Sequence, residues 1–94
     1  MSKLLRVRRL PRYVDDLDSI AEFIAPSDPQ AAFELWQLVD EQVEKLADPN
    51  FPRRRGRKAG TWELVAHPNY IVLLQQNETT VTALAVLHVA RQYP

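Results

Sequence analysis

Cysteine is absent from the 94 residues, which removes disulfide frameworks, thiolate zinc sites and thiol nucleophiles together and points to a reducing compartment. Glycine is scarce. The two present, Gly56 and Gly60, fall in one segment, and neither a glycine-rich phosphate loop nor a nucleophile elbow occurs. No apolar run approaches the ~20 residues that cross a bilayer, and the basic N-terminus lacks the apolar stretch of a signal peptide. A cytoplasmic protein with no membrane partner is expected. His67 and His88 have no carboxylate in ligand spacing, so no metal and no cofactor is expected. What is present, 46% hydrophobic and 26% charged residues, is the composition of an ordinary globular chain. Its length suits one core, and a single domain over 1–94 is expected.

The net charge of zero conceals segregation. Lys3, Arg6, Arg8, Arg9 and Arg12 open the chain without an acid, whereas Asp15 to Asp48 holds ten of the twelve acidic residues against Lys45 alone, and Arg53, Arg54, Arg55, Arg57 and Lys58 follow. Such a chain can present one surface to nucleic acid or an acidic partner and repel it from the other.

Leu5 and Val7 alternate with Leu4, Arg6 and Arg8, which predicts a first strand over 3–9. Pro11 suits the first turn of a helix, and Tyr13, Leu17, Ile20, Ala21 and Ile24 recur at helical spacing. Asp15, Asp16 and Asp18 are expected to favour its positive end. After Pro26, Ser27 or Asp28 can cap a second helix over 30–47, with Gln30 completing a capping box. Its stripe comprises Ala32, Leu35, Trp36, Val39, Val43 and Leu46, and Phe33 sits to one side. Residues 48–60 read as a loop. Three strands then follow over 61–66, 70–76 and 80–88, their close spacing implying antiparallel hairpins. The fold class is thus α+β, in the order β-α-α-β-β-β, with a helical hairpin on one face of a small, mainly antiparallel sheet. Strict alternation makes both faces of the last two strands apolar, which leaves one face for a partner or a buried tail.

Several strings, in this order, resemble the RelE/ParE superfamily of toxins from type II toxin–antitoxin systems, most closely its ParE branch. They are Asp15-Asp16-Leu17-Asp18-Ser19-Ile20 with Phe23-Ile24-Ala25, then Gly56-Arg57, Gly60-Thr61-Trp62-Glu63-Leu64-Val65, His67-Pro68-Asn69-Tyr70-Ile71-Val72 and the ending Val86-Leu87-His88-Val89-Ala90-Arg91-Gln92-Tyr93-Pro94. The resemblance spans almost the whole chain. It implies a RelE/ParE toxin fold and a cognate antitoxin, with operator DNA reached only indirectly through that antitoxin. It also implies one of two targets: DNA gyrase for ParE-like members, or mRNA on the ribosome for RelE-like ones.

RNA cleavage by 2′-OH attack needs proton-transfer groups and cations for the growing phosphate charge. The strand positions where RelE-like enzymes place cations are read as Tyr70, Leu73, Leu74 and Ala85, and no cation lies on the last two strands before Arg91. A non-enzymatic gyrase-binding toxin is therefore favoured over a ribosome-dependent mRNA interferase, whose catalytic candidates are His88, Arg91, Tyr93 and Arg57. An inactive toxin-fold binding partner is the third reading. Target binding is assigned to Arg57, Lys58, His88, Arg91 and Tyr93; antitoxin binding to Leu4, Arg6, Phe33, Trp36, Trp62, Leu74 and Ala85.

Overall fold

The computed structural model describes residues 3–90. Its elements are β1 (Arg6–Arg9), α1 (Pro11–Ile24), α2 (Pro29–Lys45), β2 (Arg54–Arg55), β3 (Trp62–His67), β4 (Tyr70–Gln76) and β5 (Thr80–His88). Proline at the first helical position starts both helices, where a missing N–H costs nothing. Asp28 caps α2 by accepting the Ala31 N–H at 3.0 Å. The expected capping box does not form: Gln30 lies one position too early and donates to Glu34 instead, at 3.0 Å. The first turn of α1 contains no acid, so the aspartates placed at its positive end lie too far along. Asp16 has another task there, accepting the Val86 N–H at 3.0 Å.

The sheet order is β1-β5-β4-β3-β2, with β1 parallel to β5 and the other pairs antiparallel. The helical hairpin covers one face. Tyr13 and Leu17 of α1 and Leu35, Val39 and Val43 of α2 meet Leu64, Val72, Leu74, Val81, Ala83 and Val86 in one buried cluster. Burying a side chain of this kind is worth roughly 1.5–3 kcal/mol, so this contact is the main source of stability. The Trp36 indole N–H donates to Asp18 at 2.9 Å and ties the helices together.

Three expectations need correction. The segment expected to be all loop contains β2, which pairs Arg54 with Glu63 and Arg55 with Trp62. Arg53 makes this possible: it donates to the carbonyls of Leu46, Asp48 and Phe51 and to the Gln76 side chain, pinning the segment to the sheet edge. Burial lowers its pKa, with Asp48 opposing. The first strand is shorter than expected, beginning at Arg6, although Leu5 remains buried. The alternation of β5 is also broken. A bulge falls where Leu73 pairs with Ala85 and Leu74 with Ala83, leaving Leu84 as the extra residue. Val81 and Ala83 before it, and Val86 after it, therefore all reach the helix side. β1 accompanies β5 only as far as Ala83, and beyond that point Asp16 takes up the Val86 N–H.

Candidate functional site

Cross-strand partners share a face, so the register fixes what the sheet turns away from the helices. One row there reads Arg54, Glu63, Leu73, Ala85; the next reads Val65, Ile71, Leu87; toward the other end stands Arg8, Thr82, Gln75, and then Arg6 beside Thr80. The middle of this face is apolar and, among the described residues, β3, β4 and β5 place no cation on it. Its arginines come from the flanking strands. Ile71, Ala85 and Glu63 are buried, Leu73 and Leu87 are half-buried and Val65 is exposed, so the open apolar strip is narrower than strict alternation implies. The Glu63 carboxylate pairs with Arg54 at 2.9 Å.

Two of the residues expected to meet an antitoxin have no surface to offer. Leu74 is fully buried against the helices because its parity sets it on the core side, and Ala85 is 2% exposed. Phe33, by contrast, is 60% exposed and Leu4 75% exposed. Arg6 is exposed, and Trp36 and Trp62 are half-buried. The Arg55 guanidinium lies 4.9 Å from the centre of the Trp62 ring, a cation–π contact. One residue that sequence reasoning passed over is Phe23, 86% exposed. Helical phase was the available signal, since the stripe Tyr13, Leu17, Ile20, Ile24 leaves position 23 on the outside. Phe23 and Ile20 line a groove of ≈ 520 Å³ between α1 and the ends of β4 and β5, closed by Tyr70, Val86, His88 and Ala90.

At that end of the sheet Tyr70 sits between both histidines. Its ring centre is 5.0 Å from that of His88, edge-on, and 5.6 Å from that of His67. Each histidine closes a local turn through Nδ1, His88 accepting the Ala90 N–H and His67 the Asn69 N–H, both at 3.0 Å. Nδ1 of His88 is thereby committed to structure, and only Nε2 is left for a ligand. Arg91 and Tyr93, the other expected partners of His88, lie outside the described residues. Arg57 and Lys58 are exposed in the turn that leads into β3. That turn and His88 stand at opposite ends of β4, roughly 20 Å apart at ~3.3 Å per residue, so the structure does not bring Arg57 and His88 together. Hydrogen-bond reach of one reacting group is beyond such a pair.

Of the basic cluster, Arg53 and Arg54 are occupied structurally and Arg55 covers Trp62. Among the described residues no group of histidines and carboxylates is arranged to hold a metal ion. No helix there is long and apolar enough to cross a membrane.

Known proteins resemble this chain in sequence and in fold. The family described as the ParE toxin of the type II toxin-antitoxin system, parDE, matches residues 7–93. A protein of Sinorhizobium fredii named as a candidate toxin, Y4kP, is 30% identical over 89 residues, covering 95% of this chain and 93% of its own length. A solved structure from a chromosomal ParDE toxin–antitoxin system of P. aeruginosa superposes with a TM-score of 0.81 at 20% identity, over 94% of this chain and 99% of the other.

Proposed function

Because the chain belongs to the ParE toxin family of type II toxin–antitoxin systems, we propose that it stops growth by binding DNA gyrase in the cytoplasm, without catalysis, until a cognate antitoxin neutralises it. The observation that carries this reading is the cation-free middle of the sheet face turned away from the helices. A ribonuclease needs preorganised donors where phosphate charge grows, and loss of even one such donor costs about 3–4 kcal/mol of barrier. The separation of Arg57 from His88 argues the same way. Target contact is assigned to Arg57, Lys58 and His88, with Arg91 and Tyr93 beyond the described residues. Antitoxin contact is assigned to Leu4, Arg6, Phe33, Trp36 and Trp62, and the exposed Phe23 extends that apolar surface into the groove beside α1.

Expression without antitoxin is expected to arrest growth and induce the DNA-damage response, and the purified chain to inhibit gyrase supercoiling. Arrest with intact DNA and degraded mRNA would transfer the reading to a ribosome-dependent interferase. Unimpaired growth with abundant soluble, folded chain would leave an inactive toxin-fold binding partner. A small antitoxin encoded beside the gene is expected, and its co-expression should restore growth.

A further inference from the structure

On the sheet face turned away from the helices, Arg8, Thr82 and Gln75 form one cross-strand row. With Gln76, Thr80 and Gly60 they line a trough of ≈ 410 Å³ that Asn77 closes. No carboxylate and no aromatic ring belongs to its lining. Two of the side-chain amide oxygens around it are already used. Gln76 Oε1 accepts from Arg53 at 2.9 Å, and Asn77 Oδ1 accepts the N–H groups of Thr79 and Thr80, each at 2.9 Å. What these side chains retain is their amide N–H donors.

The cations of the molecule divide in the same way. Arg9 is held by Asp40 and Glu44, Arg12 by Asp16 and Arg54 by Glu63, and Arg53 is spent on backbone carbonyls. Arg6 and Arg8 are exposed and, among the described residues, have no ion-pair partner. They project from one strand on one face about 7 Å apart. The acids near this end, Glu78 in the turn between β4 and β5 and Asp48 beside Arg53, both stand outside the lining.

We propose that this trough, with Arg6 at its rim, holds backbone phosphates of duplex DNA, so that the toxin itself touches DNA independently of sequence. Guanidinium, amide and hydroxyl donors are the groups that contact phosphate oxygens. Without a ring to stack on, the lining offers nothing to the unpaired bases of a single strand, and this favours a duplex. The acidic faces of α1 and α2 lie on the other side of the sheet and orient the molecule with its arginines toward the polyanion. Contacts of this kind carry no operator recognition, and the inference extends beyond gyrase binding without depending on it.

The test is fluorescence anisotropy of labelled 20-base-pair duplexes of two unrelated sequences, titrated with the purified full chain from about 20 to 200 mM salt. Both duplexes are expected to bind equally, with log K falling against log salt at a slope near −1.8 if both arginines neutralise phosphates. Arg8→Gln should flatten that slope by about 0.9 and weaken low-salt binding several-fold. Arg6→Gln with Arg8→Gln should remove binding, and Arg12→Gln should leave it unchanged. Both arginines are exposed, and an unchanged thermal melt confirms that the variants fold. Three results each overturn the proposal: no duplex binding by the parent chain at 20 mM salt, Arg8→Gln binding like the parent, or a single strand bound more tightly than the duplex. The supercoiling assay is read separately, so failure here is distinct from failure of the gyrase reading.

Discussion

Asp40 of α2 is the polar hinge of an otherwise apolar contact between the helices and β1. It accepts from Arg9 Nε and from the Tyr13 hydroxyl, each at 2.9 Å, while Arg9 Nη2 reaches Glu44 at 2.9 Å. Burial costs the Arg9 charge, but the two carboxylates outweigh that cost and raise its pKa. Tyr13 is 1% exposed. Burial first, and its bond to Asp40 second, push its phenol well above the ordinary value near 10. Below pH 10 folded and unfolded chains both carry the neutral phenol; above it only the unfolded chain ionises. Stability is therefore expected to fall above pH 10 by up to about 1.4 kcal/mol per pH unit from this residue. Urea denaturation at pH 9, 10 and 11 measures it, and Tyr13→Phe should flatten the slope by about one proton. Asp16 makes a second prediction. Asp16→Ala leaves the Val86 N–H without its partner and should cost about 1–3 kcal/mol, read from the urea midpoint at constant m value.

The elements best read from the sequence are those bounded by residues with one clear conformational preference. β4 and β5 run over the residues expected of them because His67-Pro68-Asn69 and Asn77-Glu78-Thr79 punctuate them, and Asn77 does so physically by accepting two backbone N–H groups. What was not legible depended on distant partners. Nothing local to Arg54–Arg55 marks a strand; β2 exists because Arg53 finds Gln76 and the carbonyls that follow α2. The bulge at Leu84 was hidden because both faces of β5 are rich in apolar residues, so a one-residue change of phase leaves the pattern looking intact. Leu74 and Ala85 were assigned to a partner they cannot reach for two different reasons: Leu74 shares the parity of Val72 and turns to the helices, whereas Ala85 faces away from them but is only 2% exposed. Arg53→Ala is expected to free the segment from Asp48 to Arg55 while leaving the core in place. Hydrogen exchange should show protection lost at Arg54 and Arg55, with that of Val72 and Val81 retained.

Across the whole molecule the charge blocks of the sequence become opposite sides of one object, with carboxylates on the outer helical faces and Arg6 and Arg8 behind the sheet. Exposed apolar residues concentrate on the helical side, where Phe23 and Phe33 stand out from α1 and α2. Each touches too little of the core to stabilise it. Phe33→Ala and Phe23→Ala are expected to shift stability by no more than about 0.5 kcal/mol, yet to weaken antitoxin binding by more than about 1 kcal/mol each. Calorimetric titration with the antitoxin separates the two effects, and unchanged affinity would remove these residues from the interface. The parallel pairing of β1 with β5, Arg6 beside Thr80, joins the two extremes of the sequence. Closing so long a loop is entropically costly and slow, and it has to wait for the last strand to be made. A nascent chain thus completes its helical hairpin before its arginine edge can be anchored in the sheet.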